Sequence, residues 1–408
     1  MMNGGQTTGC NTALLNARRV EWDGIYTDPL FLADGYAAFA ASPDALTLDL
    51  TDHLIFPGLV NAHDHLQLNC IPPLLPPEPF ANSYAWIDAI QPYRADPAVA
   101  AACAIPSAVR HWHGALKNLL SGVTTVAHHD PLHAVFDDPA FPVGVVREFG
   151  WSHSLGLGLS HSDSSTLRYG PDVLESAAAT SSRHPWIIHL AEGTDDVAAA
   201  ELEMLDRLGC LAANTLLVHG VGLSDMDVER ILERRAGVIW CPGSNLALLG
   251  RTLNPRRLLN AGLLALGSDS RLAGSFDLLE DLRLAVIYGD CAPAELLALV
   301  TAAGSRLLRL PAIGGLSTGQ QADLLIVRDA GHDPYLALLR RTDIRAVVRG
   351  GKPAIADPDF ADWFEACGIE TVEVRLDGVS KLCAKSLLGP PGAAELEPGL
   401  EVVQPATA

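Results

Sequence analysis

From residue 54 to about 310, short apolar runs alternate with longer Ala/Leu-rich stretches. The runs are LIFPGLV, GVTTVAH, VGVVREF, LGLGLS, WIIHL, TLLVHG, GVIWCP and LLALGSD. Continuous apolar runs of this length read as strands covered on both faces. Between them, VLESAAATSS, VAAAELEMLDRLG and DMDVERILERRAG are helical candidates. Eight strand candidates alternating with helices predict an α/β fold, a (β/α)8 TIM-type barrel of the usual size of about 250 residues. Residues 54–310 fit that size. An open doubly wound sheet gives the same alternation. The barrel is preferred because polar chemistry sits at the carboxyl ends of many strands, not at one switch point.

The flanks have a different pattern. Residues 12–53 carry short apolar pieces broken by turn residues, and 311–360 return to short strands in ADLLIVRD and IRAVVRGGKP. These two segments are expected to pair as a composite β-sandwich. Residues 361–408 form a C-terminal extension whose Pro/Gly-rich end, GPPGAAELEPGLEVVQPATA, reads as a loose tail. Residues 1–11 read as a flexible leader. The Pro- and aromatic-rich segment 66–93 reads as a loop covering the barrel mouth.

Composition narrows the partners. The chain has 408 residues, 49% of them hydrophobic, and a formal net charge of −20. That charge repels nucleic acid and anionic membranes, so a small-molecule substrate is expected. No apolar stretch is long enough to span a bilayer and no secretory signal is seen, so the expected location is cytoplasmic. The eight cysteines are scattered with no CxxC pair. They read mostly as reduced core thiols.

The chemistry lies at the strand ends. His63 and His65 flank Asp64 at the end of the first run, and residues i and i+2 of a strand share a face. His189 ends WIIHL, His219 ends TLLVH, and Asp269 follows LLALGS. Imidazoles and a carboxylate at successive strand ends suit one divalent metal ion, zinc best, with Fe2+ or Mn2+ also compatible. Glu192, three residues past His189, is placed to move a proton between water and a leaving group. His219 is read as a hydrogen bond to the attacked group. Each of these residues taken alone has a bland reading as a packed or turn residue.

The ordered set FPGLVNAHDH, HLAEG, LLVHG, CPGSN and LGSD resembles the amidohydrolase superfamily. It is most similar to the branch of aromatic-ring deaminases, chlorohydrolases and imidazolonepropionase. GGLSTGQQADLLIV and AVVRGGKP resemble that superfamily's closing β-sandwich segment. The resemblance covers roughly residues 12–357. It implies metal ligation by His63, His65, His189 and Asp269, Glu192 as proton shuttle, His219 beside the substrate, and Asp269 as orienter of the water. Some superfamily members bridge two metals with a modified lysine on the fourth strand. The lysines here are 117, 352, 381 and 385, none of them there, so a mononuclear site is expected. Glu148 is a weak candidate bridge.

One departure bears on substrate. Arg271 follows Asp269 by two residues, where ring deaminases of this branch carry small residues. It is read either as a fork for a substrate anion or as a loop arginine paired with Asp277, Glu280 or Asp281. His161 and His128 are further candidates for substrate contact, with His129 beside the latter and Asn245 bracing a loop. The expected reaction is cleavage of a C–N bond in a small cyclic nitrogen compound by a heterocycle deaminase. Ring opening of a cyclic amide with an anionic group is the alternative, dechlorination a more distant one, and a non-catalytic scaffold the rival from another class. A homodimer is an open expectation.

Overall fold

The computed structural model describes residues 10–75, 77–157, 170–331 and 336–403. Its centre is a set of parallel strands: β1 (Leu59–Asp64), β2 (Val123–His128), β3 (Gly144–Val145), β4 (Gly150–Ser152), β5 (Trp186–Leu190), β6 (Thr215–His219), β7 (Gly237–Trp240) and β8 (Leu264–Leu266). They run in two arcs, β3-β2-β1 and β4-β5-β6-β7-β8, with parallel pairing throughout. Nearly every residue of these strands is buried, because helices cover the outer face and side chains fill the centre. The amides of Ser268 and Asp269 donate to the His63 carbonyl at 3.1 and 3.0 Å, which joins the end of β8 to β1. Gly267 permits this approach, since a Cβ there would meet His63 Cβ at 2.7 Å. The architecture is the (β/α)8 barrel that the strand–helix alternation predicts.

Helices carry the rest of the layer: α1 (Ser83–Tyr93), α2 (Pro97–Ala104), α3 (Ser107–Leu120), α4 (Val173–Ala179), α5 (Asp196–Arg207), α6 (Asp225–Arg234) and α7 (Pro242–Leu249). α6 opens with a capping box in which Ser224 and Asp227 satisfy each other's amides. α1 is unforeseen, because its sequence SYAWIDAIQPY was expected to be loop. Asn82 starts it by accepting from the Ala85 amide, and Pro92 falls in its last turn.

Outside the barrel lie two further sheets. One has four strands, ordered Tyr36–Ala38, Leu30–Ala33, Thr12–Leu15 and Leu46–Asp49. The other has nine and joins both ends of the chain, with His53–Pro57 antiparallel to Leu324–Arg328 and parallel to Arg18–Glu21. The expected run LIFPGLV is therefore not one barrel strand. His53–Pro57 serves the nine-stranded sheet and Leu59–Asp64 the barrel, and both are fully buried, so hydrophobicity alone does not separate them. The fourth barrel strand is Gly150–Ser152 and not LGLGLS, of which residues 155–157 form no strand and 158–160 lie outside the described residues.

The C-terminal extension is also more ordered than its composition suggests. Thr371–Leu376 and Val379–Ala384 form a hairpin in the nine-stranded sheet, and Leu400–Val402 pairs beside it. Ala393, Ala394 and Glu397 are buried, and Trp112 on α3 donates its indole N–H to the Leu387 carbonyl at 2.8 Å. Cys10 and Cys367 form a disulfide, with Cα atoms 4.9 Å apart, so the reading of the cysteines as reduced thiols is corrected at these two positions. Among the described residues no helix is long and apolar enough to cross a membrane.

Candidate metal centre and active site

β1 delivers the HDH segment as the strand alternation requires. His63 and His65 face one way, with ring centroids 4.9 Å apart, and Asp64 faces the other. Asp64 is fully buried beneath them and is answered by Lys117 Nζ at 3.1 Å, Asn118 Nδ2 at 2.7 Å and Asn69 Nδ2 at 2.9 Å. Lys117 also donates to Ser268 Oγ at 3.2 Å and the Asp269 carbonyl at 3.3 Å. A buried lysine thus ties the first histidine pair to the end of β8.

The rings above this floor converge. His63, His65, His129 and His189 each offer a nitrogen, all within 4.8 Å of one another, and His63, His219 and Asp269 form an overlapping group. The outward nitrogen of three rings is already committed. His65 Nδ1 is 2.7 Å from Asp130 Oδ2, His189 Nδ1 2.9 Å from the His153 carbonyl, and His129 Nε2 3.1 Å from the Ser152 carbonyl. Such second bonds fix the tautomer and leave the inner nitrogen as a lone pair.

Two observations test the fit to a cation. His63 has both ring nitrogens buried with no hydrogen-bond partner among the described residues. His65 Nε2 and His189 Nε2 face each other at 3.3 Å, close enough for one cation to sit against both. Burial works against a charged His65, yet the Asp130 carboxylate and its hydrogen bond raise it to about 9. At His63, His129 and His189 burial and the neighbouring rings push the imidazoles well below their ordinary range, so these three stay neutral and offer the lone pairs a metal ligand needs.

Next to the cluster are two groups suited to proton transfer. His219 Nδ1 lies 2.9 Å from Asn245 Oδ1, so its Nε2 is the nitrogen that faces Glu192 Oε1 at 3.5 Å. Burial raises the Glu192 carboxyl above its ordinary range, against the pull of His219. Asp269 Oδ1 accepts from the Ser270 amide at 2.6 Å. Three residues at these strand ends hold left-handed backbone without being glycine: Ala191 (φ 52), His219 (φ 78) and Asp269 (φ 54). Such conformations cost energy and persist where packing over-determines them.

His63, His65, His189, Glu192, His219 and Asp269 therefore come together. Others do not. His128 is fully buried on the far side of β2, accepting from the Leu66 amide at 3.3 Å and packed against His111 and Phe136. The substrate-contact reading of His128 is corrected, since its neighbour His129 holds the inward place. Arg271 is corrected too. Its fork grips Glu397 at 2.8 and 2.9 Å, its Nε donates to the Phe276 carbonyl, and it stacks on the Phe276 ring. Its fork is thus turned to Glu397, and it is not among the residues that line the cavity beside the cluster. Glu148 is exposed and near His184. His161 lies outside the described residues.

Sequence reasoning weighed His129 only as a pocket-lining neighbour of His128, and it missed the parts played by Asp130, His153 and Lys117. The tripeptide His128-His129-Asp130 was visible, but β2 meets β1 with a register irregularity between Asn61 and Asp64, so strand parity alone does not say which histidine faces inward.

A cavity of about 930 Å³ opens onto His65, Asp130, His153, His189, Glu192, His219 and Asp269. Its lining also includes the apolar Leu68, Ile71, Trp86, Ile90, Tyr93 and Leu272, with Arg94 and Arg110 among them. Such a volume is at the upper end for small-molecule sites.

Comparison with known proteins agrees with this picture. Residues 163–372, just over half of the chain, match the model of the amidohydrolase family. The 8-oxoguanine deaminase of Pseudomonas aeruginosa is 26% identical over 394 residues, covering 78% of this chain and 85% of the relative. The 5-methylthioadenosine/S-adenosylhomocysteine deaminase of Halobacterium salinarum is 26% identical over 397 residues, covering 83% and 89%. Among solved structures, an adenosine deaminase from Xanthomonas campestris with bound zinc superposes with a TM-score of 0.66 at 20% identity, covering 88% of this chain and 97% of that one. The atrazine chlorohydrolase of Arthrobacter aurescens with zinc gives 0.65 at 16%, covering 87% and 100%. The match over more than half of its length shows that the chain belongs to the amidohydrolase family.

Proposed function

We propose that the chain is a mononuclear metal-dependent deaminase that replaces the amino group of a small nitrogen heterocycle with oxygen. The observation that carries this reading is the Glu192–His219 pair, 3.5 Å apart, placed beside Asp269 and the converging imidazoles. His63, His65, His189 and Asp269 are the residues that would hold the ion, and zinc suits imidazole and carboxylate donors. When bound, the ion supplies Lewis acidity, lowering the pKa of a water and polarising the bond under attack.

The protein's own groups do the rest. Asp269 orients the attacking water. Glu192, held above its ordinary pKa by burial, takes one proton from that water and passes it to the departing nitrogen, which leaves as ammonia. His219 Nε2 faces the reacting centre and, when the ring carries both protons, donates to the atom that gains negative charge. Relatives named as deaminases of purine compounds support the substrate class. Ring opening of an anionic lactam loses its main support, because Arg271 is committed to Glu397.

The test is turnover of aminated heterocycles by zinc-loaded protein, read as ammonia release. Ammonia lost in step with substrate supports the reading. Hydration of a ring without ammonia contradicts it.

A further inference from the structure

The cavity roof and the turn that carries Glu192 are stitched together. α1 lines the cavity with Ser83, Trp86, Ile87, Ile90 and Tyr93. Its first residues lie against the segment 191–195. The Ser83 amide donates to the Glu192 carbonyl at 2.9 Å, the Thr194 amide to the Ala81 carbonyl at 2.8 Å, and Asn82 Nδ2 to Asp195 Oδ2 at 2.6 Å. Asn82 and Gly193 form an antiparallel bridge, and a Cβ on Gly193 would meet Asn82 Cβ at 2.6 Å, so glycine allows the contact.

A buried carboxyl group that the proposed chemistry does not use closes the stitch. Glu201 on α5 accepts the Ala191 amide at 2.6 Å through Oε2, and its Oε1 accepts the Tyr84 hydroxyl. Ala191 is the left-handed residue between His189 and Glu192, where φ is 52°. An alanine holds that conformation only when its surroundings insist on it. Glu201 and Tyr84 are those surroundings. One hydrogen bond pins the strained amide and the other joins the pin to the roof helix.

We infer that Tyr84 and Glu201 are positioning residues for Glu192, and that α1 relays occupancy of the cavity beside its apolar side chains Trp86, Ile87, Ile90 and Tyr93 to the proton-transfer turn. Remote binding energy is thereby converted into alignment at the reacting centre, where it raises kcat in place of affinity. The inference rests on the deaminase reading for its kinetic consequences but not for its structural ones.

The experiment compares zinc-loaded wild type, Tyr84→Phe, Glu201→Ala and Glu201→Gln. Tyr84→Phe is expected to lower kcat about tenfold, the order of one buried hydrogen bond, with KM and zinc content unchanged. Glu201→Ala is expected to lose more, and Glu201→Gln, which keeps an acceptor for the Ala191 amide, to recover most of it. A substrate trimmed of its apolar substituent is expected to lose kcat in the wild type. Unchanged kcat in Tyr84→Phe and Glu201→Ala, effects confined to KM or zinc content, or equal kcat for whole and trimmed substrates overturns the inference. Amide exchange at Ala191–Gly193 is read on the same proteins without substrate. Faster exchange there in Tyr84→Phe, with β6 unchanged, supports the inference, and equal exchange overturns it. A wild type that deaminates nothing contradicts the deaminase reading alone, and the exchange result then still decides the inference.

Discussion

Asp130 Oδ2 stands 2.7 Å from His65 Nδ1, so a carboxylate at the end of β2 sets the tautomer of a histidine at the end of β1. The same oxygen accepts Gln67 Nε2 at 2.6 Å, which fixes the carboxylate in turn. Partners of this kind typically contribute about 10–100-fold to metal affinity. Asp130→Asn is therefore expected to weaken zinc binding by about that factor, measured by competition with a chromophoric chelator. Unchanged affinity removes Asp130 from the account.

The neighbours His128 and His129 should behave oppositely. His129 Nδ1 has no hydrogen-bond partner among the described residues and its ring joins the cluster, whereas His128 is turned toward His111 and Phe136. His129→Ala is expected to lower zinc affinity, and His128→Ala to leave it unchanged while lowering thermal stability. Zinc titration and melting curves on the two variants check this. Equal zinc affinity in both shows that His129 contributes nothing to the centre.

Glu192→Gln keeps the size of the side chain and removes its proton-accepting form. A general acid–base group is worth about 10²–10⁴-fold in rate. A fall in kcat of that order with full zinc content is expected, since Glu192 is not among the converging metal-binding nitrogens and oxygens. Loss of zinc in the variant shows that Glu192 holds metal instead.

Glu397 links the C-terminal segment to the loop after Asp269. It is fully buried and meets Arg271, Arg341 and His113. Burial pushes its carboxyl up, but the hydrogen bonds from His113 and Arg271 and their charge outweigh it and hold the group at about 2. A free glutamate titrates near about 4.3, so the folded pKa is the lower one. Its stabilisation is complete above about pH 4.3 and fades as the pH falls toward 2. Glu397→Gln leaves Arg271 without its carboxylate and Arg341 with Asp377 alone, and is expected to cost about 3–5 kcal/mol at neutral pH. It should also flatten the acid limb of stability. Urea melts between pH 3 and 7 measure both, and a wild-type-like profile contradicts the assignment.

The barrel was legible because most of its buried parallel strands leave apolar runs, although Gly150–Ser152 leaves none and LGLGLS marked the wrong place for it. What stayed hidden was any feature set by pairing and not by pattern. LIFPGLV looks continuous, but Pro57 ends one sheet and Leu59 begins another. GPPGAAELEPGL has the composition of a tail, yet Glu397 anchors it through charge, which no periodicity reports. In the site, ligand-type residues at strand ends were readable from their positions. Asp130, Lys117 and Glu201 were not, because each acts through a neighbour distant in sequence: Asp130 with His65, Lys117 with Asp64, Glu201 with Tyr84. Arg271 was misread for the same reason, its partner lying 126 residues away.

The central claim is that this site removes an amino group from a heterocycle. Zinc-loaded wild type and Glu192→Gln, each incubated with a set of aminated purines, pyrimidines and triazines, test it most directly by mass spectrometry with parallel ammonia assay. The account predicts exchange of one amino group for oxygen, one ammonia per turnover, and near-complete loss in Glu192→Gln. Addition of water with no ammonia, or equal turnover in the two proteins, contradicts it.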